Sequence, residues 1–357
     1  MGISTAYWMA RAGIEVLLLE AEKLGCGASG RNAGLVLPSM SPLEAPGILQ
    51  SVLTDEGIAA DYHIGGHLSL ASTDEIWARV KAEVGSRPKT LPTLLALDRG
   101  ECEAVLNMRI GERFRGGRWY PDGALIDPVR LVDGLSDAAN RAGAQIHCDT
   151  RVLKVATKSV ASGSPLQIHT SRGSLEADHV VFACNAGLLD LVPGAGRALE
   201  VRVAQVLSSE PMPPLFKCGM AVDWGTVYWR QAQNGSIVIG GLTSKIVPLP
   251  EVDQDPLIPA VQSALEEFLP SVFPEMPVLR VHRRWHGVMD CTSDGRPLVG
   301  RLPGARRQWI IAGFNGHGLP PALGFAKALT ESVFLDEPVE QLARYSPARF
   351  PEVGQTQ

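Results

Sequence analysis

The segment that most constrains the fold lies at the start of the chain. Met1-Gly2 leads directly into Ile3-Ser4-Thr5-Ala6-Tyr7-Trp8-Met9-Ala10-Arg11-Ala12-Gly13. Its pattern is that of an amphipathic helix, and Gly13 supplies a C-terminal stop. Ile14-Glu15-Val16-Leu17-Leu18-Leu19-Glu20 follows, an apolar strand whose closing acid lies 18 residues after Gly2. A dinucleotide-binding unit runs strand, glycine turn, helix, strand, and then an acid for the ribose. Gly2 therefore reads as the third glycine of G-x-G-x-x-G, small so that helix and sheet approach closely. Glu20, with Ala21 beside it, stands at the ribose position. The first strand and first two glycines of such a unit would lie before Met1. The expectation is a nucleotide site of which this sequence carries the second half.

Composition narrows the class. The 357 residues are 45% apolar and 20% charged, enough for a sizeable core and two or three domains. A net charge of −5 does not call for a nucleic-acid partner. No apolar run approaches the roughly 18 residues of a membrane span, and no signal peptide follows Met1. Cys26, Cys102, Cys148, Cys184, Cys218 and Cys291 are dispersed and form no C-x-x-C pair. The histidines show no H-E-x-x-H spacing. No metal site is expected, and the cysteines read as free thiols of a cytoplasmic protein.

After Glu20 comes Leu24-Gly25-Cys26-Gly27-Ala28-Ser29-Gly30-Arg31-Asn32-Ala33-Gly34. Such a glycine-rich loop can approach phosphate or a flat ring closely, although a plain flexible turn would look similar. Helical patterns follow at 74–84 and 99–106, with a strand at 66–71 between the first of them and the loop. Asp127-Pro128 opens a helix running to about Ala142. Strands are expected at 144–147, 150–155 and 177–184, with a hairpin turn at 162–165. From about 201 to 291 the pattern alternates as in β-structure. Residues 226–230 and 236–241 form a hairpin across Asn234-Gly235, a helix spans about 256–268, and a strand runs 278–285. A strand at 309–313, a turn at 315–318 and a helix at 322–334 close the chain.

Taken together these segments resemble the D-amino-acid oxidase-like family of FAD-dependent oxidoreductases, which includes glycine oxidase, sarcosine oxidase and D-amino-acid dehydrogenase types. Gly2 and Glu20 match the family's opening unit. Gly27-Ala28-Ser29-Gly30-Arg31-Asn32-Ala33-Gly34-Leu35 resembles the segment under the pyrophosphate and flavin, and Val152 the strand position that meets adenine. Ala183-Cys184-Asn185-Ala186-Gly187 resembles a small-residue turn near the phosphates. Thr292-Ser293-Asp294-Gly295-Arg296-Pro297-Leu298-Val299-Gly300 is similar to T-x-D-G-x-P-x-I-G. Gly313-Phe314-Asn315-Gly316-His317-Gly318-Leu319 resembles the G-F-S-G-H-G turn beside the flavin ring. The resemblance implies an α/β fold in which a Rossmann-type FAD-binding domain (1–45, 123–195 and 292–350) is interleaved with a substrate domain of antiparallel β-sheet plus helices (46–122 and 196–291).

The implied chemistry is oxidation of the C–N bond of an amine or amino acid to an imine, with flavin N5 accepting the hydride. No protein nucleophile is then needed, and O2 or a redox partner reoxidises the cofactor. Relatives that oxidise amino acids carry a carboxylate-binding arginine in a G-hydrophobic-Arg-Pro stretch before T-x-D-G. Here that stretch is Gly287-Val288-Met289-Asp290, so Met289 stands in its place. Arg230, next but one to Tyr228, is the candidate cation; a surface sheet arginine is the plainer reading. Tyr228 matches a pocket-lining tyrosine. Asp290 could meet a substrate amine or cap a turn, and His317 could act as a base or fix the turn beside the flavin. Tethered relatives hold FAD on a cysteine seven residues before the Asp of T-x-D; Gly287 stands there, so non-covalent FAD is expected. The competing reading is an N-terminally truncated or degenerate homologue that lacks flavin and serves as a non-catalytic subunit. An NAD-dependent dehydrogenase explains the late G-H-G turn less well.

Overall fold

The computed structural model describes residues 1–37, 43, 46–157, 165–242, 257–305, 307–334 and 340–354. The opening helix spans Gly2–Arg11 and buries Ile3, Ala6, Tyr7 and Ala10 against helix Pro128–Arg141. Pro128–Arg141 starts where expected because Asp127 accepts from the Val129 and Arg130 amides, at 2.9 and 3.1 Å, with proline at its first position. Its stripe of Leu131, Leu135, Ala138 and Ala139 makes the other side of this core. Helix Ala322–Phe334 closes it: Leu323 is buried there, and the Leu323 carbonyl accepts the Trp8 indole N–H at 2.9 Å.

Two small parallel pairings lie behind these helices. Leu17–Leu19 pairs in parallel with Gln145–His147. Val180–Phe182 pairs in parallel with Gln308–Ala312, which runs antiparallel to Leu298–Arg301. Gly2 stands between the two groups: a Cβ there would lie 3.7 Å from Ala183 Cβ and 3.8 Å from Leu18 Cδ1. The small residue expected for close helix–sheet approach therefore serves both sheets at once.

An eight-stranded sheet forms the other half. Its order is Val281–Thr292, Leu199–Pro211, Ser236–Gly241, Val227–Gln231, Gly219–Val222, His67–Ala71, Gly116–Tyr120 and Leu95–Asp98. Every neighbouring pair is antiparallel except Gly219–Val222 against His67–Ala71. Leu68, Leu70, Leu207, Met220, Trp229, Ile237 and Ile239 share a core with Leu265 and Leu269, on helices Pro259–Glu266 and Phe268–Val272. Side chains alternate along strands, so the opposite face carries Ser69, Ala204, Ala221, Tyr228, Gly240 and Gly287. Register sets Tyr228 across from Ala221 and from Gly240, and Ala204 across from Gly287. Around Tyr228 that face is floored by small residues.

Several elements differ from expectation. The glycine-rich loop contains a one-turn helix, Ala28–Arg31. The strand expected at 278–285 instead covers Val281–Thr292, because Leu199–Pro211 pairs along nearly all of it. The helix expected at 256–268 begins at Pro259, and residue 256 lies outside the described residues, as do 162–164 of the expected hairpin turn. Among the described residues, no helix is long and apolar enough to cross a membrane, and no group of His, Cys, Asp and Glu could hold a metal ion.

Candidate active site

The Asn32 side chain organises the glycine-rich loop. Its amide donates to Ala28 O and Ser29 O at 3.1 and 2.8 Å, and its oxygen accepts from Gly34 N at 2.9 Å. The one-turn helix is thereby closed and the chain reversed. Gly30 and Gly34 are obligatory: a Cβ would stand 2.3 Å from Gly25 O and 2.0 Å from Ile126 O respectively, and Gly34 has φ +70°. Several further loop carbonyls are engaged. Arg31 O accepts the Trp285 indole N–H at 2.9 Å, Ala33 O accepts Arg230 Nε, and Gly34 O accepts Ile126 N at 2.9 Å. Arg31 in turn donates to His286 O at 3.2 Å. The loop is held against the eight-stranded sheet through two of its strands.

The late turn is built on the end of strand Val281–Thr292. Asp290, 6% exposed, accepts from Gly313 N at 2.7 Å, and its own N–H donates to Asn185 Oδ1 at 2.8 Å. Asn185 donates to Val288 O at 2.7 Å. Asn315 accepts from Thr292 N at 2.9 Å and donates to Gly313 O at 2.8 Å. Both asparagines take left-handed backbone, at φ +51° and +54°, which Asn tolerates better than most residues. One strand end thus braces two turns, at 185 and at 313–318. Burial pushes the Asp290 carboxyl above its ordinary value, while the backbone N–H bonds pull it back. Its carboxylate braces the late turn through Gly313. His317 also serves its turn, with Nδ1 2.8 Å from Asn315 O.

Other expected site residues gather at the strand ends. Glu20 follows Leu17–Leu19 and is fixed by backbone bonds to His147 O and from Thr150 N, at 2.9 and 2.8 Å. Its carboxylate accepts from Glu22 N at 3.0 Å, with Ala21 between them. Val152 opens strand Val152–Thr157, and Cys184 and Asn185 follow Val180–Phe182. Carboxyl ends of parallel strands are where ligands bind in such sheets. Gly313 and Gly316, at φ +71° and +80°, keep the late turn tight, and a Cβ on Gly316 would stand 2.9 Å from Met289 Sδ. Gly318 and Leu319 complete that turn, while Ser29 lies in the one-turn helix of the early loop and Leu35 follows the loop. Tyr228 lies across from Gly240, where a Cβ would stand 2.8 Å from its hydroxyl. Burial pushes the Tyr228 phenol up to about 12, and among the described residues its hydroxyl has no hydrogen-bond partner.

Arg230 is 8% exposed and is no surface arginine. Its guanidinium is turned onto the Ala33 carbonyl and thus toward the glycine-rich loop. Sequence reasoning missed Trp285 altogether. A buried indole N–H needs a partner, which flags the residue without saying that the partner is Arg31 O. The residues present fit FAD: a carboxylate follows strand Leu17–Leu19, and the start of helix Gly2–Arg11 favours phosphate.

Known proteins share this arrangement. The chain is 24% identical to the Gamma-glutamylputrescine oxidoreductase of Escherichia coli, over 89% of this chain and 78% of that one. It is 26% identical to the glycine oxidase of Pseudomonas aeruginosa, over 98% and 96%. The crystal structure of glycine oxidase from Geobacillus kaustophilus superposes with a TM-score of 0.80 at 20% identity, covering 97% of this chain and 95% of that one. The family model described as FAD dependent oxidoreductase matches residues 1–332. With the strand-end carboxylate and the braced late turn, that match places the chain in the DAO family of FAD-dependent oxidoreductases.

Proposed function

We propose that this chain oxidises the C–N bond of an amine or N-alkylated amine to an imine, which water then hydrolyses. The observation that carries the reading is the convergence on one strand, Val281–Thr292, of the glycine-rich loop, the 313–318 turn and the small-residue sheet face around Tyr228. Residues 1–45, 123–195 and 292–350 hold the cofactor in this reading, and 46–122 with 196–291 form the substrate side. Bound FAD supplies the acceptor for the hydride that leaves the carbon beside nitrogen. The protein positions that carbon, excludes water and receives the amine in its neutral form. Ser69, Ala204, Ala221, Gly240 and Gly287 are the small residues of this face, and Tyr228 presents an unpaired hydroxyl among them. FAD is held without a covalent tether, since Gly287 occupies the tethering position and Cys291 is buried. The six cysteines are unpaired, which suits a reducing cytoplasm.

The substrate class follows from Met289 and Arg230. Met289 offers a thioether beside Gly316 where amino-acid-oxidising relatives offer a guanidinium, and Arg230 is engaged with Ala33 O. A substrate carboxylate buried there would lack its partner, at a cost of several kcal/mol. Rapid mixing of the FAD-loaded protein with a panel of amines and amino acids tests this through flavin bleaching. Amines and N-alkylated amines are expected to bleach it with much higher kcat/KM than glycine or small D-amino acids. A small D-amino acid as the fastest reductant would overturn the assignment.

A further inference from the structure

Arg230 is a buried cation whose surroundings do not neutralise it. It lies on strand Val227–Gln231, on the same face as Tyr228, and is 8% exposed. Among the described residues no carboxylate lies within ion-pair distance of it. Among the described residues, the acids whose field reaches it are Asp127 and Asp61. Both are committed elsewhere. Asp127 caps helix Pro128–Arg141, and Asp61 pairs with Arg130 at 2.8 Å. Burying an unpaired guanidinium is costly, so an arginine kept against the Ala33–Gly34 loop calls for negative charge at that loop. One donor, Nε, is used on Ala33 O. The next residue, Gly34, leaves no space: a Cβ would stand 3.0 Å from Arg230 Nε and 3.2 Å from Nη2. Guanidinium, Ala33 and Gly34 therefore form one close-packed unit.

We propose that Arg230 is a positioning residue for the cofactor, fixing the Ala33–Gly34 loop and leaving beside it a positive charge that favours the negatively charged reduced flavin. This rests on the reading that the glycine-rich loop meets the flavin. Trp285 belongs to the same clamp without the charge: its indole holds Arg31 O from the neighbouring region of the sheet. The two residues thus separate loop geometry from electrostatics. Loss of the guanidinium charge weakens reduced flavin more than oxidised flavin and lowers the midpoint potential. Loss of the indole bond loosens both oxidation states alike.

The test is the midpoint potential of the FAD-loaded protein, measured by equilibrium with a redox dye under enzymatic reduction, together with the dissociation constant of FAD. Neither reading uses an amine substrate, so failure here is distinct from failure of the amine-oxidation proposal. Arg230→Gln is expected to disfavour the reduced state about tenfold, a fall of about 30 mV for the two-electron couple. Arg230→Lys keeps the charge and is expected to restore the potential while still binding FAD more weakly than the parent. Trp285→Phe is expected to weaken FAD binding at unchanged potential. A parental potential in Arg230→Gln overturns the proposal, as does an equal fall in Trp285→Phe. Should Arg230→Gln fail to fold, a tenfold loss for the reduced state in Arg230→Lys overturns it, and a parental potential supports it.

Discussion

Asp294 ties the end of the chain to the loop that supports the late turn, and its removal has a calculable cost. The Asp294 carboxylate accepts from Arg349 Nε at 2.8 Å and Nη2 at 3.2 Å. Arg296 adds its backbone N–H at 3.1 Å, Nε at 3.1 Å and Nη2 at 2.9 Å. Arg349, whose side chain is 15% exposed, is the better shielded of the two partners; Arg296 is 51% exposed. Bonds to charged groups contribute about 1.5–3 kcal/mol, and exposed pairs far less. With the Arg296 pair discounted for screening, Asp294→Asn should cost about 1.5 kcal/mol. For a protein of this size that lowers Tm by about 2 °C. The guanidinium of Arg349 above all holds the Asp294 carboxyl well below the usual carboxylate range. A depressed folded-state pKa gives stability that is complete above the unfolded value, about 3.9, and is lost as pH falls toward the folded one. Thermal unfolding of parent and variant should therefore show the full gap at pH 7, and a gap that begins to close below about pH 4. A difference under 1 °C at pH 7, or one that widens on acidification, would refute the reasoning.

Glu20→Ala should weaken FAD binding by about tenfold or more with little change in Tm, because one charge-assisted hydrogen bond lost is about 1.5–3 kcal/mol and Glu20 supports no core residue; an unchanged dissociation constant by fluorescence titration would remove it from the site. Acid precipitation of the FAD-loaded protein should leave the flavin in the supernatant, and a flavin–peptide mass after digestion would contradict the untethered reading of Gly287.

Much of this fold was legible because its signals are local. The helix at Gly2–Arg11, the capped start at Asp127-Pro128 and the hairpin across Asn234-Gly235 each declare themselves within a few residues. Glycines were legible too, but only as places where something comes close. Gly34 does not reveal that Ile126 O and Arg230 fill the space, nor does Gly316 reveal Met289. The partners that decide function lie far along the chain. Arg230 meets Ala33 from 197 positions away, Trp285 meets Arg31 from 254, and Asp290 meets Gly313 from 23. Strand Val281–Thr292 shows the same limit. Its consecutive arginines and Gly287 blur the alternation, and its true length is set by pairing with Leu199–Pro211. Period-2 spacing puts Arg230 on the Tyr228 face, as the register has it. What holds its guanidinium there is the Ala33 carbonyl of the glycine-rich loop. A sequence specifies which face a charge occupies, whereas the use of that charge depends on whichever distant backbone the fold brings opposite it.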